Sequence, residues 1–198
     1  MINFKTAAAI ALSLLLSATS VMPATAALVY DRTTGTFVDE AELAPRPRAG
    51  QSMIRKEMVD YVTSQAPGTI VIETGERRLY LVLEDGKAMK YGIGVGRDGF
   101  TWSGTHRITR KAEWPGWTPP PAMRKRVPDL PAYMEGGPDN PLGARALYIG
   151  STLYRVHGTS EPWSIGQAVS SGCIRLTNDD VADLYERVTV GAKIIVNH

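Results

Sequence analysis

Cys173, the single cysteine of the chain, is the residue with the clearest chemical potential. A cysteine attacks a carbonyl as the thiolate, which is scarce at neutral pH because a free thiol has a pKa of about 8.5. It therefore needs an imidazole or another positive group nearby. His157 lies upstream, at the end of a predicted strand, and is followed by Gly158-Thr159. Together the two residues predict a nucleophile and a base that lowers the pKa of the thiol.

Gly172, directly before the cysteine, fits the same chemistry. Because glycine has no Cβ, the backbone there can approach a substrate carbonyl closely, and the amide hydrogens of Gly172 and Cys173 could hold an oxyanion. The alternative is a buried structural cysteine beside a hydrogen-bonded core histidine, since cysteine is among the most buried residue types. Residue chemistry and spacing alone leave both interpretations equally open.

Two other kinds of site are disfavoured. The three histidines, His106, His157 and His198, lack the spacing of metal ligands, so we expect no metal and no cofactor. Gly94–Gly99 matches G-x-G-x-x-G, but a dinucleotide site requires a helix to follow within a βαβ unit, and the sequence after Gly99 indicates another turn before a strand. We predict a glycine-rich turn.

Composition narrows the function classes further. Of the 198 residues, 43% are hydrophobic and 21% are charged, which is typical of a globular domain. The formal net charge of +2 gives no reason to expect a nucleic-acid partner. A single cysteine also excludes an intramolecular disulfide.

The N-terminus predicts export. Residues 1–26 contain Lys5, an apolar run from Ala7 to Leu16 and the cleavage pattern Ala24-Thr25-Ala26, which together are typical of a signal peptide. The alternative, a membrane anchor, is disfavoured because the run is shorter than the roughly 20 residues that span a bilayer. A solitary cysteine in an oxidising compartment is more often reactive than structural. We therefore expect a periplasmic protein with no stable membrane span after cleavage.

The rest of the chain predicts a mainly β domain behind a leader. Residues 27–66 show no apolar period and are predicted to be a partly ordered leader or linker, and residues 67–198 are predicted to form the domain. Three strands should form a meander, joined at Thr74-Gly75 and Asp85-Gly86. The predicted strands are Thr69–Glu73, Arg77–Glu84 and Lys87–Val95 in the meander, then Thr105–Lys111, Ala146–Ile149, Tyr154–His157 and Ala192–Val196.

Two further segments stand out. Residues 114–141 are rich in proline and predict a long ordered loop, which either lines a binding site or is a plain surface insertion. The apolar spacing over Asp179–Val188 predicts the one convincing helix, with Thr177 near its start.

Several motifs together resemble a known family. The run His157-Gly-Thr-x-Glu-Pro-Trp and the run Val169-Ser-Ser-Gly-Cys173-Ile-Arg-Leu-x-Asn178 closely resemble the signature of the L,D-transpeptidase catalytic-domain family. The resemblance extends upstream through Pro67-Gly68-Thr-Ile-Val, Gly92-x-Gly-Val-Gly-Arg97 and Pro138-Asp-Asn-Pro-Leu-Gly143. It covers about two-thirds of the chain and excludes the leader.

The resemblance implies a role for each matching residue. Cys173 would be the nucleophile, His157 its base, and the Ser171-Gly172-Cys173 backbone the oxyanion hole, with Arg175 supporting the site and contacting a substrate carboxylate. Many family members carry histidine where this sequence has Ser171. Asn178 is most simply a cap or a loop brace. Trp163 and Tyr133 could shape the donor groove, although core or lid packing is the simpler role for each.

The resemblance also implies fold and function. The family fold is a β-sandwich of mixed sheets, in agreement with the mainly β pattern. The implied activity is a transpeptidase that crosslinks peptidoglycan stem peptides, or attaches an outer-membrane protein or lipoprotein to them, through a cysteine thioester with release of D-alanine. Two alternatives stay open: an L,D-carboxypeptidase that hydrolyses the same bond, and a non-enzymatic cell-wall-binding module.

Overall fold

The computed structural model describes residues 28–31, 36–39 and 54–198. The chain divides into two units, Met1–Pro45 and Arg46–His198. In the first unit, strand β1 (Leu28–Asp31) pairs antiparallel with β2 (Thr36–Asp39), two strands that the sequence did not predict. The predicted signal peptide lies outside the described residues.

The second unit is mainly β, as predicted. Its strands are β3 (Glu57–Asp60), β4 (Ile70–Glu73), β5 (Arg78–Val82), β6 (Lys87–Gly92), β7 (Val95–Gly96), β8 (Gly104–Glu113), β9 (Arg145–Ile149), β10 (Arg155–His157), β11 (Ala168–Ser170), β12 (Ile174–Arg175) and β13 (Lys193–Asn197). Its helices are α1 (Pro121–Arg126) and α2 (Asn178–Arg187), with a 3-10 turn at Pro162–Ser164.

One curled, mixed sheet carries the fold. Nine strands are hydrogen-bonded in the order β12-β10-β9-β8-β13-β4-β5-β6-β3, and β7 pairs with β11 in a separate two-stranded sheet. Strand β8 joins two halves of this sheet, one running from β12 to β9 and the other from β13 to β3. The start of β8 pairs with β13 and its end pairs with β9, and the register shifts between Ile108 and Arg110. The two faces of the predicted sandwich are therefore halves of one sheet joined through β8.

The apolar core lies between these halves. Ile72, Leu79, Leu147 and Ile174, which come from both halves, are completely or almost completely buried in one cluster with Leu184 of α2. Burying each such side chain stabilises the fold by about 1.5–3 kcal/mol. The same burial fixes which residues of β10 and β12 must point away from the core.

The predicted meander is confirmed, with two corrections. Asp85 and Gly86 adopt φ values of 56° and 65°, as the predicted two-residue hairpin requires. The connection at Thr74-Gly75 was predicted wrongly, because it spans residues 74–77 and its left-handed residue is Arg77. The third strand ends at Gly92 rather than Val95, because Val95 pairs with Ala168 of β11 instead.

Two other segments are more ordered than predicted. Strand β3 pairs with β6, so the sheet gains an edge strand from within the predicted leader. The proline-rich segment forms α1, which begins at Pro121 because the first helical position tolerates the missing amide hydrogen. Within the same proline-rich segment, Trp117 before the helix pairs with Met134 after it in an isolated antiparallel bridge.

Helix α2 is confirmed to within one residue at each end. Thr177 is its N-cap, and the hydroxyl accepts a 3.1 Å hydrogen bond from the Asp180 amide. At the other end, Lys111 Nζ donates to the carbonyls of Tyr185 and Val188. Both ends of the helix therefore have partners for backbone groups that no helical turn satisfies.

We expect Thr177→Ala to lower the free energy of unfolding by about 1 kcal/mol, because the Asp180 amide loses its acceptor. Chemical denaturation measures this loss. Thr177→Ser, which keeps the hydroxyl, is the control and should stay close to the original stability. Equal stability of all three proteins would contradict the capping role.

Candidate active site

Strands β10 and β12 bring four functional side chains onto one face. The strands pair in parallel, with Val156 opposite Ile174 and His157 opposite Arg175. Val156 and Ile174 are buried in the core. Because side chains alternate along a strand, His157 and Arg175 point to the opposite face. Arg155 and Cys173, two residues before each of them, share that face.

These four side chains line a cavity of about 390 Å³. Four of the lining residues, Trp117, Pro120, Met123 and Pro141, come from the proline-rich segment, which favours its predicted place at a binding site over a plain insertion. The lining residues are Phe100, Trp117, Pro120, Met123, Pro141, Leu142, Leu153, Tyr154, Arg155, His157, Ser170, Ser171, Cys173 and Arg175.

The Cys173 thiol is held in a desolvated position. Its Sγ lies 4.0 Å from the carbonyl oxygen of Leu153. Burial raises the pKa of Cys173, while the charges of Arg155 and Arg175 and hydrogen bonds from Arg155 act to lower it. The positive charges that lower the pKa of Cys173 belong to these arginines, and the structure gives no support to a lowering by His157, whose imidazole is neutral.

His157 is a buried, neutral imidazole. Burial, together with the charges of Arg175 and Arg155, lowers the pKa of His157 to about 3, although the carbonyls of Gly158 and Leu142 act in the opposite direction. His157 Nδ1 lies 2.5 Å from the Gly158 carbonyl oxygen. Since a carbonyl can only accept, Nδ1 carries the proton and donates. Nε2 is then the ring nitrogen with a free lone pair.

The loop before Cys173 uses some of its backbone groups internally. Ser170 Oγ accepts from the Gly172 amide at 3.1 Å and donates to the Cys173 carbonyl at 2.6 Å. The Gly172 amide, expected to hold an oxyanion, is therefore already occupied. Among the described residues, the amides of Ser171 and Cys173 have no hydrogen-bond partner. These two amides remain for a ligand.

Trp102, which sequence reasoning missed, fixes the direction of the Cys173 amide. Its Nε1 donates a 2.7 Å hydrogen bond to the Gly172 carbonyl, and its ring stacks on Tyr154 at 4.6 Å. In a trans peptide the C=O and N–H groups point in opposite directions. The Cys173 amide therefore points away from the indole. No local sequence pattern connects Trp102 with a loop so far along the chain.

Gly172 has no tolerated replacement at this point of the loop. Its φ of 105° lies in the region that favours glycine, and an added Cβ would overlap the Tyr154 ring. Gly96 likewise approaches the loop closely, and an added Cβ there would meet the Phe100 carbonyl. Strand β7 is followed by a turn rather than a helix, so the predicted glycine-rich turn is confirmed.

Arg175 and Asn178 support neighbouring segments. Arg175 forms a 2.9 Å ion pair with Glu161. Asn178 Oδ1 accepts from the amides of Ala144 and Thr159, at 2.9 and 3.2 Å. Asn178 is therefore the loop brace that the sequence predicted, and it ties the end of the proline-rich segment to the chain that follows His157.

The two aromatic candidates for the donor groove do not lie in this cavity. Tyr133 is 56% exposed and Trp163 is 42% exposed, and neither lines the wall around Cys173. The aromatic lining comes from Phe100, Trp117 and Tyr154. Sequence spacing could not identify these three aromatic residues, because they come to the cavity from separate parts of the chain. Within the described part of the chain, no three side chains are grouped to hold a metal ion.

Comparison with known proteins points to one family. Residues 67–196 match the family model described as the L,D-transpeptidase catalytic domain. The probable L,D-transpeptidase ErfK/SrfK of Escherichia coli strain K12 is 43% identical over 134 residues, which cover 63% of this chain and 42% of that protein. The chain thus spans less than half the length of this curated relative.

Solved structures agree on the fold. L,D-transpeptidase 3 from Mycobacterium tuberculosis has a TM-score of 0.51 at 19% identity, covering 66% of this chain and 60% of that one. A Brucella melitensis protein titled a probable carnitine operon oxidoreductase has a TM-score of 0.51 at 44% identity, covering 72% and 92%. Despite that title, Gly94–Gly99 in this chain forms a turn without the helix that a dinucleotide site requires.

We expect alkylation of Cys173 by iodoacetamide to rise with pH and to show a midpoint above that of an ordinary thiol. The reason is that burial raises the pKa of the thiol, and the thiolate is the form that reacts. Mass spectrometry of the adduct from about pH 6 to about pH 10.5 gives the profile. His157→Gln should leave the midpoint in place, since the imidazole it removes is neutral. A plateau below neutral pH would instead indicate a thiolate–imidazolium pair.

Proposed function

The chain belongs to the L,D-transpeptidase catalytic-domain family, and from this we propose that it transfers acyl groups between peptidoglycan stem peptides through a thioester on Cys173. The observation that carries the proposal is the shared face of β10 and β12, where Cys173 and His157 line one cavity. Among the described residues, two backbone amides of the cysteine loop, those of Ser171 and Cys173, have no partner. A binding module would have no need of this arrangement.

The first step is attack on the donor peptide. The Cys173 sulfur attacks the carbonyl of the third stem residue while His157 Nε2 takes the thiol proton. Because the thiol and imidazole are both neutral beforehand, proton transfer accompanies the attack rather than preceding it. The hydrogen bond from Nδ1 to the Gly158 carbonyl keeps Nε2 available and stabilises the imidazolium that forms.

The negative charge that develops on the carbonyl oxygen needs donors within reach. The Cys173 amide, oriented by the contact between Trp102 and the Gly172 carbonyl, and the Ser171 amide are suited to this role. When the intermediate collapses, the C–N bond breaks, His157 returns its proton to the leaving nitrogen, and D-alanine departs. The donor remains attached to Cys173 as a thioester.

An amine completes the reaction. His157 takes a proton from the attacking nitrogen, the new amide forms, and the thiol is restored. The acceptor in this proposal is a second stem peptide, and an outer-membrane protein or lipoprotein is the alternative acceptor. Water in place of the amine would give L,D-carboxypeptidase activity with the same residues. All steps use groups of the chain itself, without a metal or cofactor.

The place of action follows from the substrate. Peptidoglycan lies outside the cytoplasmic membrane, so we propose export by residues 1–26 and action in the periplasm. Within the described residues, no helix is both long enough and apolar enough to cross a membrane. We further propose that residues 27–66 carry the domain behind the signal peptide.

We expect Cys173→Ser to lose D-alanine release from a stem tetrapeptide while keeping its thermal unfolding temperature. The serine hydroxyl has a far higher pKa than a thiol, and a neutral imidazole without a carboxylate partner activates it poorly. Mass spectrometry of tetrapeptide, free D-alanine and crosslinked product measures the reaction and separates transfer from hydrolysis. A chelator should leave the original protein active. Near-normal release with marked destabilisation would indicate a structural cysteine.

We expect Trp102→Phe to slow acylation about five- to tenfold, the equivalent of roughly 1–1.5 kcal/mol, because the Gly172 carbonyl loses its donor and the Cys173 amide is less well oriented. Phenylalanine keeps a ring to stack on Tyr154. Single-turnover acylation measures the effect, and iodoacetamide alkylation of Cys173 is the control that should not change. An equal fall in both rates would mean that the loop has rearranged.

A further inference from the structure

The cavity around Cys173 is positively charged. Arg155 and Arg175 both line it, and no acidic side chain of the described residues does so. The other lining groups are apolar or neutral at pH 7, including His157. A desolvated cavity with positive charge and no negative charge favours an anionic ligand.

Arg155 differs in its surroundings from the two other arginines whose Nε atoms are buried without a partner. The Nε atoms of Arg145, Arg155 and Arg175 are all buried without a hydrogen-bond partner. Arg145 is paired with Glu113 at 3.2 Å and Arg175 with Glu161 at 2.9 Å. Arg155 has no ion pair with any described residue.

The Arg155 side chain does have an aromatic neighbour. Its guanidinium carbon lies 5.4 Å from the Tyr148 ring centre. Arg110, on the same ring, lies closer, at 3.5 Å, and does not line the cavity. A shared aromatic ring does not replace a carboxylate, because a partly buried guanidinium without an anion keeps an uncompensated desolvation cost. A bound anion would offset it.

Arg155 is also placed next to the nucleophile. Arg155 lies two residues before His157, and Cys173 lies two residues before Arg175. Because His157 and Arg175 are opposite each other in the parallel pair, Arg155 and Cys173 are also neighbours across it. In the donor of the proposed reaction, the terminal carboxylate is separated from the scissile carbonyl only by the amide nitrogen and one α-carbon. A carbonyl at Cys173 therefore brings that carboxylate close to Arg155.

We propose that Arg155 binds the C-terminal carboxylate of the residue that leaves from the acyl donor. This inference rests on the proposed function and adds its substrate specificity. Arg155 selects donors in which the scissile bond is followed by a single residue with a free carboxylate. A longer or amidated stem has no charge at this position and leaves the guanidinium unpaired. Arg175, engaged with Glu161, is not required for this contact.

The test uses two donors that differ only at the terminus: a stem tetrapeptide ending in D-alanine and the same peptide ending in D-alaninamide. Loss of a charge-assisted contact is expected to lower kcat/KM of the original protein by about 10- to 100-fold on the amide, mainly through KM. Arg155 also acts on the Cys173 thiol, and that contribution is common to both donors, so Arg155→Gln should bring the ratio of kcat/KM on the acid to kcat/KM on the amide down to about one. Arg155→Lys should recover part of the preference.

Arg110→Gln is the matched control. It removes a guanidinium from the same Tyr148 ring but from outside the cavity, so it should keep the acid-over-amide preference. Thermal unfolding of each variant shows that the fold is retained. Release of D-alanine or D-alaninamide, followed by mass spectrometry, gives every rate.

Two results would overturn the carboxylate contact while leaving the proposed function intact. One is an original protein that processes both donors equally. The other is an Arg155→Gln variant that keeps the full acid-over-amide preference, because slowing both donors by the same factor would mean that Arg155 acts through the thiol alone. If the original protein acylates Cys173 with neither donor, the proposed function itself is wrong.

Discussion

The parallel pairing of β10 with β12 is the constraint on which the site depends. Two short strands are joined by the long connection between them, and the pairing is fixed because Val156 and Ile174 must both enter the core. A slip of one residue would turn these two side chains outward and bury charged ones. The register that satisfies the core is therefore the register that gathers Arg155, His157, Cys173 and Arg175 on the opposite face.

Burial gives these gathered residues a particular electrostatic state. A desolvated thiol and a desolvated imidazole each favour the neutral form, so the pKa of Cys173 is raised and that of His157 is lowered to about 3. The nearby arginines oppose the first shift and add to the second. In the proposed reaction, charge therefore develops only during the attack, when the arginines and free amides would stabilise an anion and the Gly158 carbonyl would stabilise the imidazolium.

Sequence reasoning recovered what is local or periodic. Alternating β-branched residues located most strands, Asp85-Gly86 set the hairpin, and Thr177 marked the start of α2, because each depends on neighbours a few residues apart. Tyr133 and Trp163, which it offered for the donor groove, do not line the cavity around Cys173. It missed Trp102 and Arg155, since their contacts join distant segments. It also could not foresee that Ser170 occupies the Gly172 amide, which depends on a rotamer.

The internal hydrogen bonds of the cysteine loop explain how it holds an unusual backbone conformation and still leaves amides available for a ligand. Gly172 holds a φ of 105°, its amide and carbonyl are engaged by Ser170 and Trp102, and the Cys173 carbonyl is engaged as well. Every group that could relax the loop is thus fixed, whereas the amides of Ser171 and Cys173 are left free among the described residues. Free amides held by a rigid loop lose little entropy on binding an oxyanion, which is what makes such donors effective in a transition state. Hydrogen bonds to the other backbone groups of the loop therefore hold the amides of Ser171 and Cys173 in position for a ligand.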